Sequence, residues 1–422
     1  MTDETRDTTP APQPRKTAVP PLPKTADMDG SSWVKPTDIG LKVSMVLYIA
    51  AIATCSMLAV MGDTTDEVIL GTVASVIFVA LWAVAWLFVK GFLAEFRAEP
   101  LTAEERAYVS EHPTAPDAVR LVRSEKIGRL LVGAPPDPMS AFTSAMSEEE
   151  IERICAFRDE EVKSTWAWYE KTGDPQVVHV TAEDGSTLTA HALRVDPKSK
   201  RWLLLVHGYK GTWTECYVYA HHYAEHGYNI LMPEQRAHAT SGGKWICMGG
   251  REGRDMVVWA KWLVQTYGKN IRIVMHGHSM GAAAVCIACG EKDLPPQVRA
   301  TVEDCGYSDA WNVFVPVMHK GLRLPAHPIL DFVSFLASRQ EGGCVLTEVD
   351  VAGAVSHART PLLVMHGEAD TFVPPYMARR IYDACSTKKR LDYFPGAGHC
   401  QACLSDPKRY FSEVFDFLGK LV

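Results

Sequence analysis

A chain of 422 residues holds one large domain with added segments, or two of ordinary size. Its 47% apolar and 22% charged content is that of a globular protein, and a net charge of -7 with no dense Lys/Arg stripe argues against a nucleic-acid partner. Eleven cysteines, an odd number at no framework-like spacing, argue against a disulfide scaffold and fit free thiols in a reducing compartment.

Residues 1–40 carry "TTPAPQPRKTAVPPLP", rich in Pro, Thr and charge without apolar periodicity, and read as a disordered tail. No cleavable signal is expected, because more than 40 residues precede the first apolar stretch. Within residues 41–90, no charge occurs from Val43 to Gly62 or from Val68 to Val89. A bilayer core needs roughly 20 such residues per helix. Both stretches are therefore expected to span a lipid bilayer, as a hairpin joined by "DTTDE". Arg15, Lys16, Lys24, Lys35 and Lys42 precede the first stretch, Lys90, Arg97 and Arg106 follow the second, and the joining turn has neither Lys nor Arg. That bias places both ends of a multi-pass anchor, and the catalytic domain with them, on the cytoplasmic side of the cell membrane.

Residues 91–175 form a charged, helical linker, in which Ile151, Ile154, Phe157 and Val162 recur at near-helical spacing and Gly173 is a plausible stop. From residue 176 to 422 the period changes. "VVHVTAEDGSTLTAHALRV" alternates around an Asp184-Gly185 turn and reads as a hairpin. "WLLLVHG", "YNILMP", "IRIVMHG", "ATVEDCG", "PLLVMHG" and "RLDYFPG" are continuous apolar runs, the later ones separated by helical stretches. This is the pattern of an α/β domain: a mostly parallel sheet flanked by helices and begun by an antiparallel hairpin.

Such sheets bind ligands at the carboxyl ends of their strands. There stand Ser279, Tyr209, Asp370 and His399. Gly277 to Gly281 read "GHSMG", the G-x-S-x-G elbow that lifts a serine above the sheet at a helix N-terminus. A serine needs a base to take its proton and an acid to orient that base, and His399 and Asp370 follow in the chain order Ser, Asp, His. Glu368 and Asp304 are substitute acids. The backbone N–H groups of Tyr209 and Met280 are placed to face a developing oxyanion. His207, before a glycine at the end of a buried strand, reads as a structural hydrogen-bonding residue, and His221 and His222 as packing or surface residues. "HCQAC", with His399, Cys400 and Cys403, has no second Cys/His pair at zinc-finger spacing, so neither a metal nor a cofactor is expected.

On "HGYKGT", "GHSMG", "HGEADTFVP" and "GAGH", the chain from about Val177 to Val422 resembles the α/β-hydrolase superfamily. It looks closest to bacterial membrane-anchored hydrolases of the serine aminopeptidase and prolyl-oligopeptidase type, whose members often carry a stretch like Glu303 to Tyr307. The resemblance implies a nucleophile at Ser279, an acid at Asp370, a base at His399 and no cofactor. One loop departs from it: where the superfamily commonly has Asp-x-Arg-Gly-His-Gly, this chain has "EQRAHATSGG", with Glu234 for the Asp and Ala237 and Ala239 for the two glycines. Alanine strains a loop with positive φ.

Residues 308–355 are too long for a simple crossover and rich in apolar residues, and read either as a partial cap lined by Phe314, Leu324, Phe332 and Phe335 or as a decorated crossover helix. The expected protein is a membrane-anchored serine hydrolase acting on a small-molecule ester. A serine aminopeptidase or amidase acting on a peptide is the alternative among enzymes. A catalytically idle hydrolase fold used as a membrane-bound binding module is the alternative of another class. A transporter needs polar or charged residues within its spans, and these have few.

Overall fold

The computed structural model describes residues 171–422, apart from 317, 319–325, 341, 342, 344 and 420, together with short pieces between 57 and 76 and between 163 and 169. The tail, most of the linker and most of the two uncharged stretches lie outside the described residues. Among those described, no helix is long and apolar enough to cross a membrane.

Eight strands form one sheet in the order β1-β2-β4-β3-β5-β6-β7-β8. They are β1 (Gln176–Thr181), β2 (Thr187–Leu193), β3 (Arg201–Val206), β4 (Asn229–Pro233), β5 (Arg272–His278), β6 (Val298–Asp304), β7 (Leu362–Gly367) and β8 (Lys389–Phe394). β1 pairs with β2, and β2 with β4, antiparallel; every pairing from β4 through β3 to β8 is parallel. The opening hairpin turns at Gly185, which holds φ 83°.

The apolar runs are continuous because both faces of the sheet are covered. Along β3, Trp202, Leu204 and Val206 enter one core cluster while Leu203 and Leu205 enter the other. β7 repeats this division, with Leu362 and Val364 against Leu363 and Met365. The alternation is the two-residue period of a strand. On the second face lie α1 (Tyr217–Glu225) and α9 (Pro407–Leu418), which contribute Ala220, Tyr223, Val414 and Phe417. On the first lie α2 (Gly250–Tyr267), α3 (Met280–Gly290), α4 (Ala310–Pro316), α5 (Ala326–Ser338), α6 (Val351–Val355) and α7 (Tyr376–Ala384). A single-turn α8 (Ala402–Ser405) precedes α9. The described end of the linker is helical and closes with Gly173 at φ 80°, its N–H donating to Tyr169 O at 2.9 Å. Trp168 and Tyr169 pack on Tyr217, at 6.2 and 5.0 Å between ring centroids.

Of the two readings of residues 308–355, the described side chains fit the decorated crossover. Trp311, Val313, Val315, Leu330, Val351 and Val355 are buried in the first core cluster, on the helical face of the sheet. Phe314 packs against that cluster, and Phe332 against Val333 and Ala337 beside it. Phe335 lies under the Arg339 guanidinium, 5.0 Å from it, and Leu324 falls outside the described residues. Among the described residues, none from this segment lines the cleft at Ser279.

Candidate active site

Ser279 sits between the end of β5 and the start of α3, at φ 55° and ψ -120°. The strained backbone is held because its neighbours have no Cβ. A Cβ on Gly277 would lie 2.2 Å from Gly281 O, and one on Gly281 would lie 2.2 Å from Val206 O and 2.5 Å from His207 O. Strand, turn and helix thus close on one another at distances only glycine permits. Ser279 is 7% exposed, enough to face a cleft.

His399 follows β8, and its Nε2 lies 2.8 Å from Ser279 Oγ. Its Nδ1 lies 2.7 Å from Oδ2 of Asp370, which follows β7 and is fully buried. The other oxygen, Asp370 Oδ1, accepts the N–H groups of Phe372 at 3.0 Å and Val373 at 2.8 Å. One carboxylate therefore makes an Asx turn and orients the imidazole as well. Burial opposes charge on His399, but Asp370 outweighs it and moves the imidazole above its ordinary pKa. Of the substitute acids, Asp304 is elsewhere: its Oδ2 accepts the hydroxyls of Tyr219 at 3.0 Å and Tyr410 at 2.8 Å. Glu368 flanks the turn, where its backbone N–H donates to Phe394 O.

The sequence profile of the X-Pro dipeptidyl-peptidase (S15) family matches residues 155–328, a span under half of the chain that includes Ser279 and ends before Asp370 and His399. The chain is similar to the uncharacterized protein YqkD of Bacillus subtilis, 23% identical over 219 residues that cover 52% of this chain and 71% of that one. It is also similar to an uncharacterized membrane protein of Saccharomyces cerevisiae, 24% identical over 200 residues, 46% of this chain and 62% of that one. Among solved structures, the Pyrococcus furiosus esterase Pf2001 superposes with a TM-score of 0.47 at 24% identity, over 59% of this chain and 93% of that one. The sheet order, the glycine-bounded serine and the hydrogen-bonded series Ser279, His399, Asp370 agree on the fold. The chain has the α/β-hydrolase fold.

In this fold the loop after β3 approaches the serine closely. A Cβ on Gly208 would meet His278 and Ser279 side-chain atoms at 3.4 Å. Two imidazoles hold the backbone around Tyr209: the N–H of Gly208, one residue before it, donates to His278 Nε2 at 3.1 Å, and the N–H of Lys210, one residue after it, donates to His238 Nε2 at 3.0 Å. His207, fully buried, accepts the Gln235 N–H on Nε2 at 3.0 Å and hydrogen-bonds Gly208 O through Nδ1 at 2.8 Å. Burial lowers His238 to about 4, so it stays a neutral acceptor. On the other side of the serine, Met280 opens α3, where the first N–H groups of a helix have no intrahelical partner.

The departing loop resolves the question its alanines raise. Ala237 and Ala239 hold φ 59° and 45°, so the backbone keeps the left-handed form without glycine. Each such alanine costs roughly 1–2 kcal/mol. Long-range contacts offset it. Arg236 makes a two-pronged pair with Asp255, at 2.7 and 2.6 Å, and reaches Asp184 at 2.8 Å. Glu234 holds His191 at 2.8 Å through one oxygen, and the N–H and hydroxyl of Thr240, each at 2.7 Å, through the other. Gly242 N–H donates to Thr187 O at 2.6 Å. The loop then presents His238 to the peptide after Tyr209, a role for which the sequence carries no signal beyond the "RAHA" pattern.

The cleft has a volume of about 370 Å³. Val218, Tyr219, Phe372 and Leu404 form its apolar walls, and Glu215 brings a carboxylate to its lining. Phe372 meets His399 edge to face at 5.1 Å. Beside His399, Cys400 Sγ lies 3.4 Å from Cys305 Sγ, and one ligand atom from each of Cys305, His399 and Cys400 lies within 4.8 Å of the other two. Cys400 thus meets Cys305, from the end of β6. His278, Glu215, Phe372 and Cys305 escape sequence reasoning, because each matters through a contact made by the fold.

Proposed function

We propose that this α/β hydrolase cleaves carboxylic esters through an acyl-enzyme on Ser279. The observation that carries the reading is the hydrogen-bonded path from Ser279 Oγ through His399 to the buried Asp370, at 2.8 and 2.7 Å. His399 Nε2 takes the serine proton as Oγ attacks the acyl carbon, then returns it to the leaving alkoxide. In deacylation the same nitrogen takes a proton from water. Asp370 fixes the tautomer that leaves the Nε2 lone pair facing Ser279. The N–H groups of Tyr209 and Met280 stabilise the oxyanion, with His278 and His238 as positioning residues for the Tyr209 peptide.

A second reading, cleavage of a peptide or amide bond, is favoured by two observations: the partial match to the X-Pro dipeptidyl-peptidase family and the Glu215 carboxylate, which is suited to a substrate ammonium. The anchor is part of the proposal as well. Residues 43–62 and 68–89 hold the enzyme on the bilayer, a reading supported by their uncharged length and by the yeast relative's being a membrane protein.

Membranes carrying the protein and its Ser279→Ala variant, treated with a fluorophosphonate probe, test the nucleophile. Labelling and turnover of p-nitrophenyl esters are expected in the wild type, with a loss of about 10⁶ in turnover in the variant. Faster turnover of aminoacyl anilides than of esters gives the peptidase reading first place. An unlabelled, folded wild type moves the idle binding module there. Deletion of residues 1–90 is expected to release an active enzyme from alkali-washed membranes.

A further inference from the structure

We propose that Cys305, Cys400 and His399 form a site for a thiophilic divalent cation of the zinc type, and that its occupancy switches the hydrolase off. The second half of this statement rests on the reading of His399 as the catalytic base; the first half does not.

The ligand set is assembled by the sheet. β6 and β8 flank β7, so Cys305 after β6 and the His399-Cys400 pair after β8 meet beside Asp370, which follows β7. Cys305 is 95 residues from Cys400 in sequence, which is why no spacing rule finds it. The turn that carries Cys305 is fixed from both sides: Cys305 N–H donates to Met365 O at 2.9 Å, and Glu303 Oε1 accepts the Gly306 N–H. Cys305 is 1% exposed, and Cys400 lines the cleft, so a cation has an entry path on the Cys400 side.

Side-chain shifts of up to about 1 Å bring the three ligand atoms to the spacing of a tetrahedral ion. Bonds of about 2.3 Å to sulfur and about 2.0–2.1 Å to imidazole nitrogen put the two sulfurs about 3.8 Å apart and each sulfur about 3.6 Å from the nitrogen. The two sulfurs stand 3.4 Å apart, and all three ligand atoms fall within 4.8 Å. Asp370 already holds His399 Nδ1 at 2.7 Å, the carboxylate–imidazole pairing that orients metal-bound histidines, and this leaves the Nε2 lone pair as the donor. Binding takes a proton from each thiol, and the cation also displaces any proton on the imidazole nitrogen it occupies. The fourth position takes water. A cation on Nε2 occupies the lone pair that otherwise accepts the Ser279 proton, so serine loses its base.

The test is a cobalt(II) titration of the full chain in detergent, reduced with a phosphine and kept anaerobic so that a Cys305–Cys400 disulfide cannot form. Wild type and Ser279→Ala are expected to bind one cobalt with a thiolate-to-metal charge-transfer band. Cys305→Ser and Cys400→Ser, checked for native thermal melting, are expected to lose the band and at least tenfold in affinity, while Cys403→Ser keeps both. Zinc is expected to slow fluorophosphonate labelling of the wild type at least tenfold, reversibly on adding a chelator, and to slow that of Cys305→Ser far less. Absence of the band in reduced wild type, or an undiminished band in Cys305→Ser, overturns the site. Labelling unchanged at saturating zinc overturns the switch. Because Ser279→Ala retains all three ligands, cobalt binding by that variant stands even if the serine proves not to be the nucleophile.

Discussion

The elbow at Ser279 and the loop at 234–243 both hold non-glycine residues in left-handed backbone, yet they do so by opposite means. At the elbow the constraint is local: Gly277 and Gly281 leave room for backbone atoms that a Cβ would strike at 2.2 Å. In the loop the constraint is distant, since Arg236, Glu234 and Gly242 tie it to Asp255, His191 and Thr187. A locally determined shape is written in a short motif. A shape imposed from afar tolerates alanine where glycine is customary, and a motif comparison then misreads the substitution as a change of shape.

The largest expected effect falls on the elbow. In Gly281→Ala the new methyl meets two carbonyl oxygens of β3 and the residue after it, which cannot rotate away. The cost should exceed the roughly 1–3 kcal/mol of side-chain overpacking, and fluorophosphonate labelling should vanish with it. Retained labelling and an unshifted melting temperature would show that the elbow is less tightly closed than its distances state. The loop should respond next. Arg236→Met leaves Asp255, 2% exposed, without its two-pronged partner. Removing one member of a buried pair costs about 3–5 kcal/mol. Asp255 is already held up at about 6 by burial, against the pull of Arg236, so protonation of the stranded carboxyl should keep the loss near the lower figure. The check is chemical denaturation at neutral pH.

What the sequence made legible follows the same division. The apolar runs named each parallel strand because both faces of the sheet are buried, and "GHSMG" named the serine because the elbow is a local object. His399 and Asp370 were legible through chain order, since each follows a late strand whose end faces the cleft. Residues 308–355 were not: an apolar helix destined for the sheet face and one destined for a cap have the same composition, and only the partner distinguishes them. Cys305 and His278 were hidden for a related reason. Their neighbours, Cys400 and Gly208, lie 95 and 70 residues away and meet them only when the sheet is assembled. The uncharged stretches before residue 90 carry a strong sequence signal and lie mostly outside the described residues.

Glu252, in the first turn of α2 near Arg236 and Asp255, gives the loop's anchorage a pH signature. Its Oε1 accepts the Cys247 N–H at 2.7 Å, while Oε2 is buried without a partner. Burial raises the carboxyl from the usual 4.5 to about 7. Between those values the folded protein holds the proton and the unfolded chain does not, so this group's contribution to stability falls as pH rises through the window and is constant above it. At about 1.4 kcal/mol per pH step the difference amounts to roughly 3 kcal/mol. Glu252→Gln keeps the acceptor and removes the titration. It should match the wild type at pH 4.5 and exceed its stability at pH 8, and parallel stability curves for the two proteins would show that Glu252 is charged in the fold.

The smallest effect asks whether the alanines of the loop are strained at all. Ala→Gly ordinarily destabilises, because glycine frees the unfolded chain by about 0.4–1 kcal/mol. At φ 45° an alanine also carries roughly 1–2 kcal/mol of left-handed strain, which glycine relieves. Ala239→Gly should therefore be neutral or stabilising by up to about 1 kcal/mol, the reverse of the usual sign. Ala237, whose methyl packs against the first core cluster, should gain less from the same change. Thermal melts of the two variants measure the difference directly. If Ala239→Gly destabilises by more than the entropic figure, the backbone there is relaxed by its hydrogen bonds and the loop stores no strain. If it stabilises, the distant contacts of Arg236 and Glu234 hold that strain in place, and the two regions differ in mechanism as well as in appearance.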